Sequence, residues 1–111
     1  MNLPKDTEEK IAQLQLIEQN MQKFLMQKQN FQAQELEIDN ALQELGKLKG
    51  QAYKITGGIM IAADKEELKK ELNSKKEIIA LRLKSIQKQE DSLREKAEML
   101  QADVMKNMPK Q

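Results

Sequence analysis

Four charged residues stand where the surrounding pattern calls for apolar ones: Lys28, Glu35, Lys76 and Glu90. The chemistry they offer is ionic pairing. Lys28 and Glu90 have opposite signs, as do Glu35 and Lys76. A pair of this kind inside a helix seam fixes which residue faces which, at some cost in stability. Acid–base and covalent chemistry has far less to work with. The chain has no His and no Cys, so the commonest general base, metal ligand and thiolate nucleophile are missing. Carboxylates are abundant but sit beside lysines, as on a solvated helix face. Gly46-Lys-Leu-Lys-Gly50 lacks the spacing and the Lys-Ser/Thr ending of a phosphate loop. No catalytic, cofactor-binding or metal-ligating set is expected, and the chain does not read as an enzyme.

The elements that position these charges follow from composition. In 111 residues only 3% are aromatic, while 33% are charged with a net charge of +1. Such a chain cannot fill a large globular core; a single domain spanning residues 1–111, built from long helices, suits it. Basic residues are scattered, with Lys69-Lys70 and Lys75-Lys76 the longest runs, so nucleic acid is not expected as a partner. The apolar run near Ile59 to Ala63 is too short to span a bilayer. The start of the chain is polar by Lys5 and shows no signal peptide. A cytoplasmic protein with no membrane contact is the expectation.

Two helices are predicted, over about 7–49 and 65–107, with a β-hairpin over about 52–62 between them. Asp6 with Glu9 and Asp64 with Glu67 have capping-box spacing, and Gly50 reads as the stop of the first helix. The first seam runs Leu14, Ile17, Met21, Phe24, Lys28, Phe31, Glu35, Ile38, Leu42, Leu45. The second runs Leu72, Lys76, Ile79, Leu83, Ile86, Glu90, Leu93, Ala97, Leu100, Val104. This alternating three-and-four spacing is a coiled-coil seam, and each helix would be roughly 60 Å long. Folding back antiparallel pairs Leu14 with Leu100, Phe31 with Leu83 and Leu42 with Leu72. Lys28 then lies one layer from Glu90, and Glu35 one layer from Lys76. The four either pair across the seam or reach solvent separately.

The centre of the chain reads Tyr53-Lys-Ile-Thr-Gly-Gly-Ile-Met-Ile. Gly57 and Gly58 supply the positive φ of a tight hairpin turn. A three-residue loop, Thr56-Gly57-Gly58, aligns Tyr53, Ile55, Ile59 and Ile61 on one face; a two-residue loop divides the apolar residues, Met60 included, between both faces. The first gives cleaner patterning and is preferred. An isolated hairpin is marginal in water, and its open edges invite pairing. Tyr53, Ile55, Gly57, Gly58, Ile59, Met60 and Ile61 are therefore expected to drive oligomerisation through a sheet or barrel shared between subunits. The antiparallel helices also bring the two chain ends together. Leu3, Ile11, Leu14, Ile17, Met99, Leu100, Val104, Met105 and Met108 would gather there, more apolar and Met-rich than a two-helix seam can bury. Adaptable surfaces of this kind suit promiscuous apolar binding.

With the hairpin and the capped start of the second helix, Asp64-Lys-Glu-Glu-Leu68-Lys-Lys-Glu-Leu72, the chain resembles the β-class subunits of prefoldin, a chaperone of archaea and eukaryotes. Arg82 and Gln89-Glu90 fit the same pattern, and the single hairpin separates this class from the two-hairpin α class. The resemblance covers essentially the full length and looks archaeal. It implies a mainly α fold: a long antiparallel two-helix coiled coil with a single central β-hairpin that joins an intersubunit β-barrel platform. It further implies a hexamer of two α-class and four β-class subunits. Its arms would hold unfolded polypeptides at their tips without ATP or another cofactor, and deliver them to a group II chaperonin. The competing reading is a structural coiled-coil adaptor that binds one specific protein partner.

Overall fold

The computed structural model describes residues 3–107. In chain order they form helix α1 (Lys5–Lys47), strand β1 (Ala52–Thr56), strand β2 (Ile59–Ala63) and helix α2 (Lys65–Asn107). Two compact units emerge, and each combines a stretch of α1 with a stretch of α2. One comprises Met1–Lys28 with Lys84–Gln111; the other is Gln29–Leu83 and contains the hairpin.

Within each unit the helices run antiparallel. In the first, Lys10 approaches Asp103 and Lys28 approaches Glu90. In the second, Asp39 meets Lys76, and the Leu48 carbonyl meets Lys65. None of the seam positions named above is exposed. The most deeply buried apolar ones are Ile17 and Ile86 in the first unit and Ile38 and Ile79 in the second. Each is β-branched and stiff at χ1, so little rotamer freedom is lost on packing. Burying each contributes about 1.5–3 kcal/mol. The core of each unit is thus a set of apolar layers, and in the second unit Leu68 and Ala52 close it beneath the hairpin.

Helix starts and stops differ from expectation at α1 and agree at α2. The Glu8 amide donates to the Pro4 carbonyl at 3.0 Å, so α1 starts at Lys5. Proline lacks the N–H that the first turn leaves unpaired, which suits it to this place. Asp6 is therefore inside the first turn and not a cap. It accepts from Lys10 one turn on, at 3.2 Å. At the other end α1 stops at Lys47, where the Leu48 amide reaches back to the Leu45 carbonyl. Gly50 is not the stop, and positive φ occurs only at Gly57 and Gly58 among the described residues. The end of α1 is instead satisfied by Lys65, whose Nζ donates to the Leu48 carbonyl at 3.0 Å. A cation suits the negative end of the helix dipole. At α2 the Asp64 carboxylate accepts the Glu67 amide at 3.1 Å, a direct N-cap.

The hairpin has a two-residue loop. Thr56 pairs with Ile59, Ile55 with Met60, Lys54 with Ile61, Tyr53 with Ala62 and Ala52 with Ala63. The three-residue loop is thus incorrect. Gly57 at φ 56° and Gly58 at φ 78° both lie in the left-handed region. That geometry carries the right-handed twist of the strands through the turn, and it outweighs the cleaner apolar patterning of the longer loop. The base of the hairpin is tied by Gln51, whose side-chain amide donates to the carbonyls of Ala52 at 2.8 Å and Ala63 at 3.0 Å.

Candidate functional site

Cross-strand partners share a sheet face, so the observed register sorts the hairpin residues. Ala52, Lys54, Thr56, Ile59, Ile61 and Ala63 lie on one face; Tyr53, Ile55, Met60 and Ala62 lie on the other. The first face turns toward the helices. Ala52 is buried on it, and the Lys54 ammonium comes within 3.9 Å of Glu71 on α2. The opposite face is bare. Tyr53, Ile55 and Met60 are exposed, Ile55 to 73%. Ile59 and Ile61 are also exposed, because the helices end before they can cover the tip of the first face. Apolar side chains on both faces, beside open strand edges, make a surface that needs a partner.

The seam charges resolve into one predicted pair and one exchanged pair. Lys28 Nζ lies 3.1 Å from a Glu90 carboxylate oxygen, and the Glu90 side chain is only 7% exposed. The approach is close, but its angles fall outside hydrogen-bond geometry. Lys28 also donates to Gln87 at 3.2 Å. Lys76 instead pairs with Asp39, at 2.6 Å, and Glu35 forms no ion pair among the described residues. Asp39 follows Ile38, the residue that faces Lys76 in the expected register, so its carboxylate is nearer than that of Glu35. Hydrogen bonding to Asp39 and its charge raise the Lys76 pKa, with a smaller push from Glu35.

At the ends of the helices, Lys10 joins α1 to α2 through Asp103, at 3.5 Å. Its pKa is raised, foremost by the hydrogen bond to Asp6. Thr7 beside it is the most buried side chain, at 1% exposure, and its hydroxyl has no hydrogen-bond partner among the described residues. Thr7 lies one heptad before Leu14, so the seam extends a full repeat earlier than its apolar members suggest. The residues expected to gather here do not all behave alike. Ile17 is mostly buried in the seam and shows only at the wall of the groove there. Leu3, Ile11, Leu14, Leu100 and Val104 are half-buried. Met99 and Met105 are exposed to 71% and 75%, and Leu16 is open as well. Met108 lies outside the described residues. A groove of about 420 Å³ opens over Ile11, Leu14, Met21 and Ala97. Among the described residues, no group of His, Cys, Asp and Glu has the arrangement to hold a metal ion.

The prefoldin subunit family model matches residues 8–111. The chain belongs to the prefoldin subunit family. It is 34% identical to a prefoldin subunit beta of Saccharolobus islandicus over 110 residues, covering 97% of this chain and 87% of that one. Identity to the prefoldin subunit beta of Archaeoglobus fulgidus is 36% over 96 residues, covering 85% and 83% of the two chains. The crystal structure of the prefoldin beta subunit from Thermococcus strain KS-1 matches with a TM-score of 0.89 at 29% identity, over 98% of each chain. The bare hairpin and the paired helix ends thus belong to a prefoldin fold, and no helix among the described residues is long and apolar enough to cross a membrane.

Proposed function

We propose that this chain is a β-class subunit of a cytoplasmic prefoldin hexamer, two α-class and four β-class chains, which holds unfolded polypeptides without ATP. It is a binding protein and not an enzyme. The observation that carries this reading is the hairpin, apolar and exposed on both faces and supplied with too little helix to cover itself. Neighbouring hairpins would complete it as a β-barrel platform. Clients would be held at the helix ends, where Met99, Met105 and Leu16 are open and the groove over Leu14 offers a further apolar hold. Several such sites in one assembly multiply weak contacts into useful avidity. Delivery to a group II chaperonin completes the cycle.

The test is assembly and protection in one experiment. The chain is mixed with an α-class prefoldin subunit, and native mass spectrometry should find a hexamer. That hexamer should suppress aggregation of several unrelated denatured proteins in a buffer without nucleotide. Ile55→Lys with Met60→Lys, on the bare face, should yield smaller species with helical content retained. Protection of no client, together with tight binding to one folded protein, would establish the adaptor reading instead.

A further inference from the structure

The unit Gln29–Leu83 carries an apolar groove of about 330 Å³ along one side of its helix pair. Its floor is Ile38 and Ile79, both buried, with half-buried Phe31 beside them. Ile78 stands at its edge, 52% exposed although large and apolar. Lys75 and Arg82 flank Ile78 on the rim, one turn to either side. Neither cation has an ion-pair partner among the described residues. Across the groove α1 contributes Gln34 and no carboxylate. Every charge lining the groove is thus positive and uncommitted, on either side of an exposed isoleucine at the rim.

We propose that this groove is a second binding surface, whose occupant is an acidic amphipathic helix. Lys75 and Arg82 are seven residues apart, or about 10.5 Å along the helix axis. A docked helix with two carboxylates at the same seven-residue spacing, and a Leu or Ile between them, would meet both cations and cover Ile78. It would lie against α1 and α2 as a third helix, in the helix-in-groove manner. Arg82 adds a planar fork that receives a carboxylate through two parallel hydrogen bonds. This surface goes beyond the holdase reading and rests only on its assembly with an α-class subunit, which sedimentation checks separately from peptide binding. Its occupant is chosen by charge spacing, whereas an unfolded client is held through apolar contact alone.

The chain assembled with an α-class subunit is titrated against fluorescein-labelled helical peptides of roughly 20 residues, a length that holds helix in water. One peptide has Leu between two Glu at the seven-residue spacing; its twin has Lys in place of both Glu. Fluorescence anisotropy should show the acidic peptide binding about tenfold more tightly at low salt. Lys75→Glu with Arg82→Glu should reverse that preference, and Ile78→Asp should remove binding of both peptides. Circular dichroism and sedimentation first establish that each variant folds and assembles. Equal affinity for the two peptides would overturn the proposal. So would a charge preference that survives the double reversal, equal binding of a proline-broken acidic peptide, or self-association of the chain through this face.

Discussion

Lys28 sets its ammonium 3.1 Å from the carboxylate of Glu90, across a seam that leaves the Glu90 side chain 7% exposed. The pair is asymmetric. Glu90 is enclosed, while Lys28 keeps contact with water and shares its protons with Gln87. A charge buried in this way is tolerated only while its partner stays in place.

Lys28→Glu should therefore cost roughly 3 kcal/mol in urea unfolding, because it leaves two like charges in adjacent layers with Glu90 still enclosed. Adding Glu90→Lys should recover part of that loss. A double-mutant cycle should give a coupling on the order of 1 kcal/mol or more; strict additivity would mean the pair contributes nothing. Replacing both residues with Leu should leave stability equal or higher, with the helix register less narrowly defined.

The turn glycines make a separate prediction, since each has open space where a Cβ would stand. Any cost of substitution there comes from the backbone. Gly57→Ala and Gly58→Ala should each destabilise the assembled protein by about 1 kcal/mol, whereas Asn, which tolerates positive φ, should cost less. Thermal unfolding of the complex measures this. Equal losses for Ala and Asn would point to contacts made by neighbouring subunits and not to φ.

At the helix ends the proposed client site and the fold can be separated. Met99 and Met105 are open to solvent, so Met99→Lys with Met105→Lys should change stability by only about 0.5 kcal/mol. The same double variant should weaken protection of denatured clients in a light-scattering assay. Ile17→Lys should instead unfold this end of the helix pair. Full protection by the methionine variant would move the client site elsewhere.

Lys76 gives a pH signature with a definite sign. Its pKa in the folded chain is raised above the ordinary 10.5, chiefly by Asp39. The stabilisation is fully present below 10.5 and is lost as pH rises through the higher folded value. The difference in melting temperature between the native chain and Asp39→Asn should hold steady up to about pH 9.5 and shrink above it. A gap that closes on acidification alone, near the carboxylate range, would contradict this account.

Both helices and their facing residues were legible because a repeat of three and four leaves a readable line of Leu, Ile and Phe. The N-cap at Asp64 followed from its spacing to Glu67. Other features turn on competitions that spacing does not express. Gly57-Gly58 admits two loop lengths, and strand twist decides between them, not hydrophobicity. Asp39 outbids Glu35 for Lys76 although it lies off the seam, since proximity around the helix counts for more than heptad position. The start of α1 lies earlier than the Asp6 spacing implies, because Pro4 does by conformation what a cap does by hydrogen bonding. Thr7 and Lys10 are seam members that hydropathy does not mark, because neither is apolar; their distance from Leu14 and Ile17, one heptad in each case, is the signal the sequence carries.

The joint between the hairpin and its helices has a consequence for how identical chains share one assembly. Gln51 grips the Ala52 and Ala63 carbonyls, and Lys65 grips that of Leu48, all through side chains in contact with water. Bonds of this sort exchange with solvent at little cost, so the outer part of this joint is adjustable while Ala52 stays packed beneath the hairpin. In the hexamer proposed above, four copies of one sequence would meet unequal neighbours. A polar, adjustable joint would let a single gene product occupy each of those places, as the elbows of quasi-equivalent shells do, without a separate chain evolved for every position.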